Sequence, residues 1–265
     1  PAATSADASP EPTTKGEVDA STAAPSPTPE PVATPTPTPE PSPTAPAASL
    51  AGRVIVVDPG HQLGNRNFTS KINASVDAGN GSTKACNTTG TATDAGVAEA
   101  TINWEGSSAL VASLRERGAE VILTREENSD DLWGPCIDVR GSTGNDRAEL
   151  LVSIHADGAD AADHGFHVLL PAVDADIYPE SLRLGELVRS SLEAQGIDRA
   201  TYITDAMRAS DDYGTLNHST KPAVILEMGN MRHSGDAQAL TTPEGQARYA
   251  AAVTAAVESY FAASN

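Results

Sequence analysis

Three short apolar runs end in side chains that metal chemistry uses, and this pattern restricts the fold more than any other feature of the chain. They are Val54-Ile55-Val56-Val57 leading into Asp58-Pro59-Gly60-His61, Leu150-Leu151-Val152-Ser153-Ile154 leading into His155, and Ala223-Val224-Ile225-Leu226 leading into Glu227. Each run is short, rich in branched residues and nearly free of polar ones, as expected of a strand covered on both faces in a parallel sheet. Open α/β sheets gather ligands and reacting groups at the carboxyl ends of their strands. Two imidazoles and a carboxylate, far apart in sequence, are therefore expected to converge at one sheet edge.

The remaining periodicity agrees with such a sheet. Helical patterns are expected over 99–118, 138–149, 181–195 and 246–261, and further strands over 119–124 and 165–170. This alternation predicts an α/β fold, a single domain with a mostly parallel central sheet flanked by helices. Residues 62–98 are rich in Gly, Asn, Thr and Ala and show no period. A stretch of that length inside a compact domain is usually functional. Residues 1–49 hold 13 of the 19 prolines and no aromatic side chain. They lack both backbone donors and apolar surface, which predicts a disordered Pro/Ala/Thr-rich tether ahead of a folded domain over 50–265.

The formal net charge is −19, and past residue 49 some 30 acids face 16 bases. That balance argues against nucleic acid or an anionic membrane as partner. No apolar stretch approaches the roughly 18 residues of a membrane span. The two cysteines, Cys86 and Cys136, sit in loop-like sequence, where a disulfide is expected rather than buried thiols. Closing that loop would stabilise by about 4 kcal/mol through chain entropy. A disulfide beside a mucin-like tail fits an exported protein, and the start at Pro1 rather than Met is expected to reflect a signal peptide either removed or not included in this sequence.

Each reactive residue has an ordinary reading beside the chemical one. A histidine after a Pro-Gly turn is commonly a surface residue, and His155 alone could be a satisfied histidine at a strand end. Together they suit a zinc site, for which two histidines and a glutamate are a standard set. Glu99 and Glu105 both open the helix that follows the long loop. A carboxylate there could simply complement the helix dipole, but Glu99 lies nearer the sheet edge and Glu105 points elsewhere. Glu227 closes an apolar run, where a lone carboxylate is costly. It is expected to be either a general base acting on activated water or the buried partner of Arg125 or Arg140. His164 and His167 are not expected to pair, while His218 and His233 lie in polar loops that could line the cleft.

In order along residues 51–261 the chain also carries Asp58-Pro59-Gly60-His61, Glu99 with Asn103, and Gly118 after a helix. Thr124-Arg125 ends a strand, and Arg140 and Asn145 precede Ser153-Ile154-His155-Ala156. Pro222-Ala223-Val224-Ile225-Leu226-Glu227-Met228-Gly229 closes the series. Jointly these motifs resemble the zinc-dependent N-acetylmuramoyl-L-alanine amidases of the amidase-3 type, bacterial cell-wall hydrolases, and the 62–98 segment with the cysteine pair looks like the actinobacterial branch. The resemblance implies Zn2+ held by His61, Glu99 and His155, with Glu227 as the catalytic carboxylate. It puts Asp58, Arg125, Arg140 and Asn145 in supporting or substrate-contacting positions. It further implies a monomer acting in the cell envelope on peptidoglycan or muropeptides, at the amide between N-acetylmuramic acid and L-Ala.

The chain departs from the family pattern at Asp157, where Asn is usual, and over Gly229-Asn230-Met231-Arg232. Both changes are expected to bear on the substrate groove. The same ligand set would serve a zinc peptidase or deacetylase, and the fold could also serve a non-catalytic wall-binding module. Retention of His61, Glu99, His155 and Glu227 together favours the enzyme. The pattern over 181–195 is the one helix expected to be able to cover the site.

Overall fold

A computed structural model describes residues 49–263; the expected tether lies outside them except for Ser49. The first apolar run forms β1 (Val54–Pro59), followed by a 3-10 turn over Leu63–Asn67 and a single helical turn, α1 (Thr69–Ile72). An antiparallel hairpin follows, β2 (Ser75–Asp77) and β3 (Thr83–Ala85), so the aperiodic stretch has local structure too short to leave a period. Then come α2 (Glu99–Glu116), β4 (Glu120–Leu123) and α3 (Ile137–Ser142). The second and third apolar runs are β5 (Leu150–Asp157) and β8 (Ala223–Asn230). Between them lie β6 (His167–Leu170), α4 (Tyr178–Ala194), β7 (Met207–Ala209) and α5 (Gly214–Asn217). The described chain ends in α6 (Ser234–Leu240) and α7 (Pro243–Ala262).

Six strands form one sheet in the order β4-β1-β5-β8-β6-β7. Every pairing is parallel except β6 against β8. The three runs therefore lie side by side at the centre, and their carboxyl ends share one edge. The helix expected over 138–149 stops at Ser142. Gly144 follows in the left-handed region at φ +74°, with Val56 packed too close to admit a side chain there. Helix α7 starts earlier than its apolar period, because Pro243 suits a first helical turn and Thr242 Oγ1 accepts from Gly245 N at 3.3 Å.

The two faces of the sheet are covered unequally. Side chains of α2, α4 and α7 meet Ile55, Val57, Val152, Ile154, Val224 and Leu226 in the larger core. The opposite face carries a smaller cluster built on Val56, Leu151, Leu169, Leu216 and Ile225. Because side chains alternate along a strand, Asp58, Ser153, His155 and Glu227 all emerge on that second, thinly covered face. A bond between Cys86 and Cys136 ties the segment after β3 to the start of α3, as expected. Among the described residues no helix is long and apolar enough to cross a membrane.

Candidate metal centre

His61, Glu99 and His155 meet beyond the strand ends, with their donor atoms within 4.8 Å of one another. His61 Nε2 lies 3.1 Å from Glu99 Oε1, and His155 Nδ1 lies 2.9 Å from the same oxygen. The imidazoles meet edge to face with centroids 4.8 Å apart. His155 arrives on β5 in register with Glu227 of β8. Glu99 is the first residue of α2, and Glu105 instead accepts from Gln246 Nε2 at 2.9 Å, away from the cluster.

Glycines permit this crowding, though not in the way a Pro-Gly turn suggests. The residue bent into the left-handed region is His61 itself, at φ +57°. Such a backbone costs about 1–2 kcal/mol in a non-glycine residue. Gly60 is needed for space, since a Cβ there would stand 2.4 Å from the His155 ring. Gly90, at φ +73°, has a similar duty: a Cβ on it would lie 2.5 Å from Glu99 Oε2 and 2.8 Å from His61 Cδ2.

His61 and Glu99 are each oriented by further contacts. His61 Nδ1 faces Thr88 O at 3.1 Å and Asn87 Oδ1 at 3.2 Å. Both are acceptors, so with an ion bound Nδ1 would carry the proton and leave the Nε2 lone pair for the metal. Glu99 Oε2 accepts from Thr91 N at 2.9 Å, while Oε1 is held by Asn103 Nδ2 at 3.1 Å. Burial penalises the Glu99 charge, but His61 and His155 outweigh it and hold the carboxyl well below its usual range. Two nitrogens and a carboxylate oxygen, with His61 and Glu99 fixed from behind, fit the donor preference of zinc. Replacing Asn87 by alanine should weaken zinc binding by about tenfold, within the range for lost supporting contacts. Competition with a chromogenic chelator measures it.

Asp58 and Arg140 brace this turn from beneath. Arg140 Nη1 lies 2.5 Å from Asp58 Oδ1, and the guanidinium also donates to Pro59 O at 2.8 Å and His61 O at 2.5 Å. Ser153 Oγ donates to Asp58 Oδ2 at 2.6 Å, and Thr124 Oγ1 donates to Asp58 Oδ1. Burial alone would raise the Asp58 pKa, but Arg140 and the two hydroxyls outweigh it and hold it at about 2. The folded value lies below the unfolded one, so Asp58 contributes stability above pH 4 that is lost as pH falls towards 2. The contribution is about 2 kcal/mol. Denaturation midpoints of the wild type and Asp58→Asn should converge across that acid interval.

Neither buried arginine pairs with Glu227. Arg125 spends its guanidinium on the carbonyls of Pro59, Gly60 and Ala100, stacks on Trp104, and tethers the turn to α2. Its burial lowers its pKa to about 9. Glu227 Oε2 is buried with no hydrogen-bond partner among the described residues. Burial first, then repulsion from Glu99 and Asp157, pushes its carboxyl well above the usual carboxylate range. A carboxyl tuned this way can both accept and return a proton.

A cavity of about 580 Å³ opens over these groups, lined by His61, Glu99, Arg140, His155, Asp157 and Glu227 together with Lys84, Asp212 and Tyr213. Arg125 and Asn145 are not in its wall; Asn145 instead bonds His218 O at 2.9 Å and Thr220 N at 2.9 Å. Asp157 does line it, and accepts from Tyr202 OH at 3.1 Å. The Gly229–Arg232 departure lies elsewhere: Asn230 bonds Asp160 O and Asp163 O, and Arg232 pairs with Asp94. His218 and His233 stay out of the wall, and no residue of α4 enters it. Asn87, Thr88 and Thr91 were not singled out from sequence, since polar loop residues carry no periodic signal. His167 is placed directly opposite Glu227 across β6 and β8, where only the register could reveal it.

A donor cluster that could hold a metal ion thus lies beside a carboxyl without a counter-ion, at the strand ends of a mostly parallel sheet. Residues 55–259 match the family model described as N-acetylmuramoyl-L-alanine amidase, and the chain belongs to that family. It is 35% identical over 222 residues to the N-acetylmuramoyl-L-alanine amidase Rv3717 of Mycobacterium tuberculosis, covering 82% of this chain and 90% of the relative. The crystal structure of the amidase Ami1 of Mycobacterium smegmatis superposes with a TM-score of 0.77 at 32% identity, covering 81% of this chain and 99% of that one. For the apo form of Ami1 from Mycobacterium abscessus the TM-score is 0.76 at 39% identity, with 80% and 100% covered. These mycobacterial likenesses agree with the actinobacterial-like resemblance expected from the 62–98 segment and the cysteine pair.

Proposed function

We propose that this chain is a zinc-dependent peptidoglycan hydrolase cleaving the amide that joins the lactyl group of N-acetylmuramic acid to L-Ala of the stem peptide. The observation that carries the reading is the unpartnered Glu227 carboxyl beside a three-donor cluster in one cavity. His61 Nε2, Glu99 Oε1 and His155 Nδ1 are the atoms that would hold the ion. Zinc bound there supplies a Lewis acid for the amide carbonyl and makes water a stronger nucleophile. Glu227 takes the proton from the attacking water. The same carboxyl then delivers it to the amide nitrogen as the C–N bond breaks, leaving a lactyl carboxylate and a free L-Ala amine. Arg140 and Asp58 act through the backbone, keeping His61 turned towards Glu99.

The disulfide and the family together support export to the cell envelope, where the protein would work as a monomer. Incubation with purified muropeptides and mass analysis of the products tests the assignment of the bond. The reading predicts stem peptide with a free L-Ala amine and sugars that keep every N-acetyl group. Release of acetate would mark a deacetylase, and cuts within the stem a peptidase.

A further inference from the structure

The cavity wall carries more carboxyl groups than cations. Glu99, Asp157, Asp212 and Glu227 all contribute to it, and its two cations are already committed. Arg140 is paired with Asp58, and Lys84 with Asp212 at 2.5 Å. The strand register identifies a further cation. Leu169 of β6 and Ile225 of β8 are paired neighbours that both line the cavity. Leu169 is in turn level with Arg208 on the edge strand β7. Residues level with one another in adjoining strands project from the same face. Arg208 therefore leaves the sheet on the cavity side, at the rim rather than in the wall.

Arg208 is exposed and makes no ion pair among the described residues. Its charge nevertheless reaches the cavity. Burial dominates at both His167 and Tyr213, but Arg208 acts on each, and Tyr213 belongs to the wall. Two strand spacings and two residues separate Arg208 from Glu227, about 12 Å between Cα atoms by sheet geometry. With both side chains reaching inward, the remaining gap suits about two residues of extended peptide.

We propose that Arg208 determines specificity by binding a free carboxylate within the first two residues of the stem peptide, on the amine side of the scissile bond. This rests on the amidase reading, because it takes Glu227 as the point where the leaving amine is protonated. The acyl side of that amide is an uncharged sugar, so an unpaired guanidinium at this distance serves the acidic peptide. A guanidinium also fits a carboxylate with two parallel hydrogen bonds, which an ammonium cannot match.

Calorimetric binding of two product dipeptides, L-Ala-D-Glu and its diamide, tests the assignment without requiring catalysis. The zinc-loaded wild type should bind the dicarboxylate roughly tenfold more tightly than the diamide, as expected for a charge-assisted pair. Arg208→Gln should remove that preference without changing affinity for the diamide, and Arg208→Lys should retain part of it. Equal affinities in the wild type, or an unchanged preference in Arg208→Gln, would overturn the proposal. Equal losses for both ligands would overturn it too. Preserved discrimination in a protein that leaves the muramoyl amide intact would instead count against the amidase reading alone.

Discussion

Glu227→Gln should lower hydrolysis by roughly 10²–10⁴-fold, the usual contribution of a positioned general base, while zinc content stays at the wild-type level. Glutamine preserves size and one acceptor oxygen but cannot take up a proton. The donor cluster does not include residue 227, so metal binding should survive. Folding should survive as well, because the native carboxyl is buried without a partner and a neutral amide relieves that desolvation cost. Loss of turnover with unchanged zinc and an unchanged denaturation midpoint would isolate the proton-transfer role. His155→Ala makes the contrast, since it should lose zinc and hydrolysis together. A Glu227→Gln protein as active as the parent would remove Glu227 from the mechanism.

The second large effect is on stability. Arg140→Ala should destabilise the protein by about 3–5 kcal/mol, the range for breaking a buried ion pair and stranding one charge. Arg140 is 2% exposed and faces Asp58, itself fully buried, so the substitution strands a charge held out of bulk water. The same substitution frees the carbonyls of Pro59 and His61, and with them the left-handed turn at His61. Arg140→Lys should rescue little, because one ammonium cannot span donors aimed in several directions. Adding Asp58→Asn to Arg140→Ala should cost less than the sum of the two changes, since the stranded charge is gone. Urea unfolding of the four proteins measures the coupling. A loss below about 1 kcal/mol for Arg140→Ala, typical of exposed pairs, would mean that the turn is held by other contacts.

What the sequence revealed followed from burial. The runs of β1, β5 and β8 are covered on both sides, so their composition announces strands and their ends announce a common edge. Glu99 was separable from Glu105 because a helix starting at that edge brings only its first residue near. The alternative pairing of Glu227 with an arginine could not be settled from residue types alone. Both arginines are buried as expected of such partners, yet one is spent on Asp58 and the other on backbone carbonyls. The β2–β3 hairpin, β7, α5 and α6 escaped because three to seven residues are too few to set a period. The supporting contacts from Asn87, Thr88 and Thr91 escaped for a different reason. They depend on where a loop closed by a disulfide comes to rest, which no local pattern encodes.

The most direct test of the account is a zinc titration of metal-stripped protein, with muropeptide products followed by mass spectrometry at each addition. Free L-Ala amine should be absent from the stripped protein and rise to a plateau at one zinc per chain, while His61→Ala gives no such rise. Full release of the same product by stripped protein, or saturating zinc uptake with no amide cleaved, would contradict it.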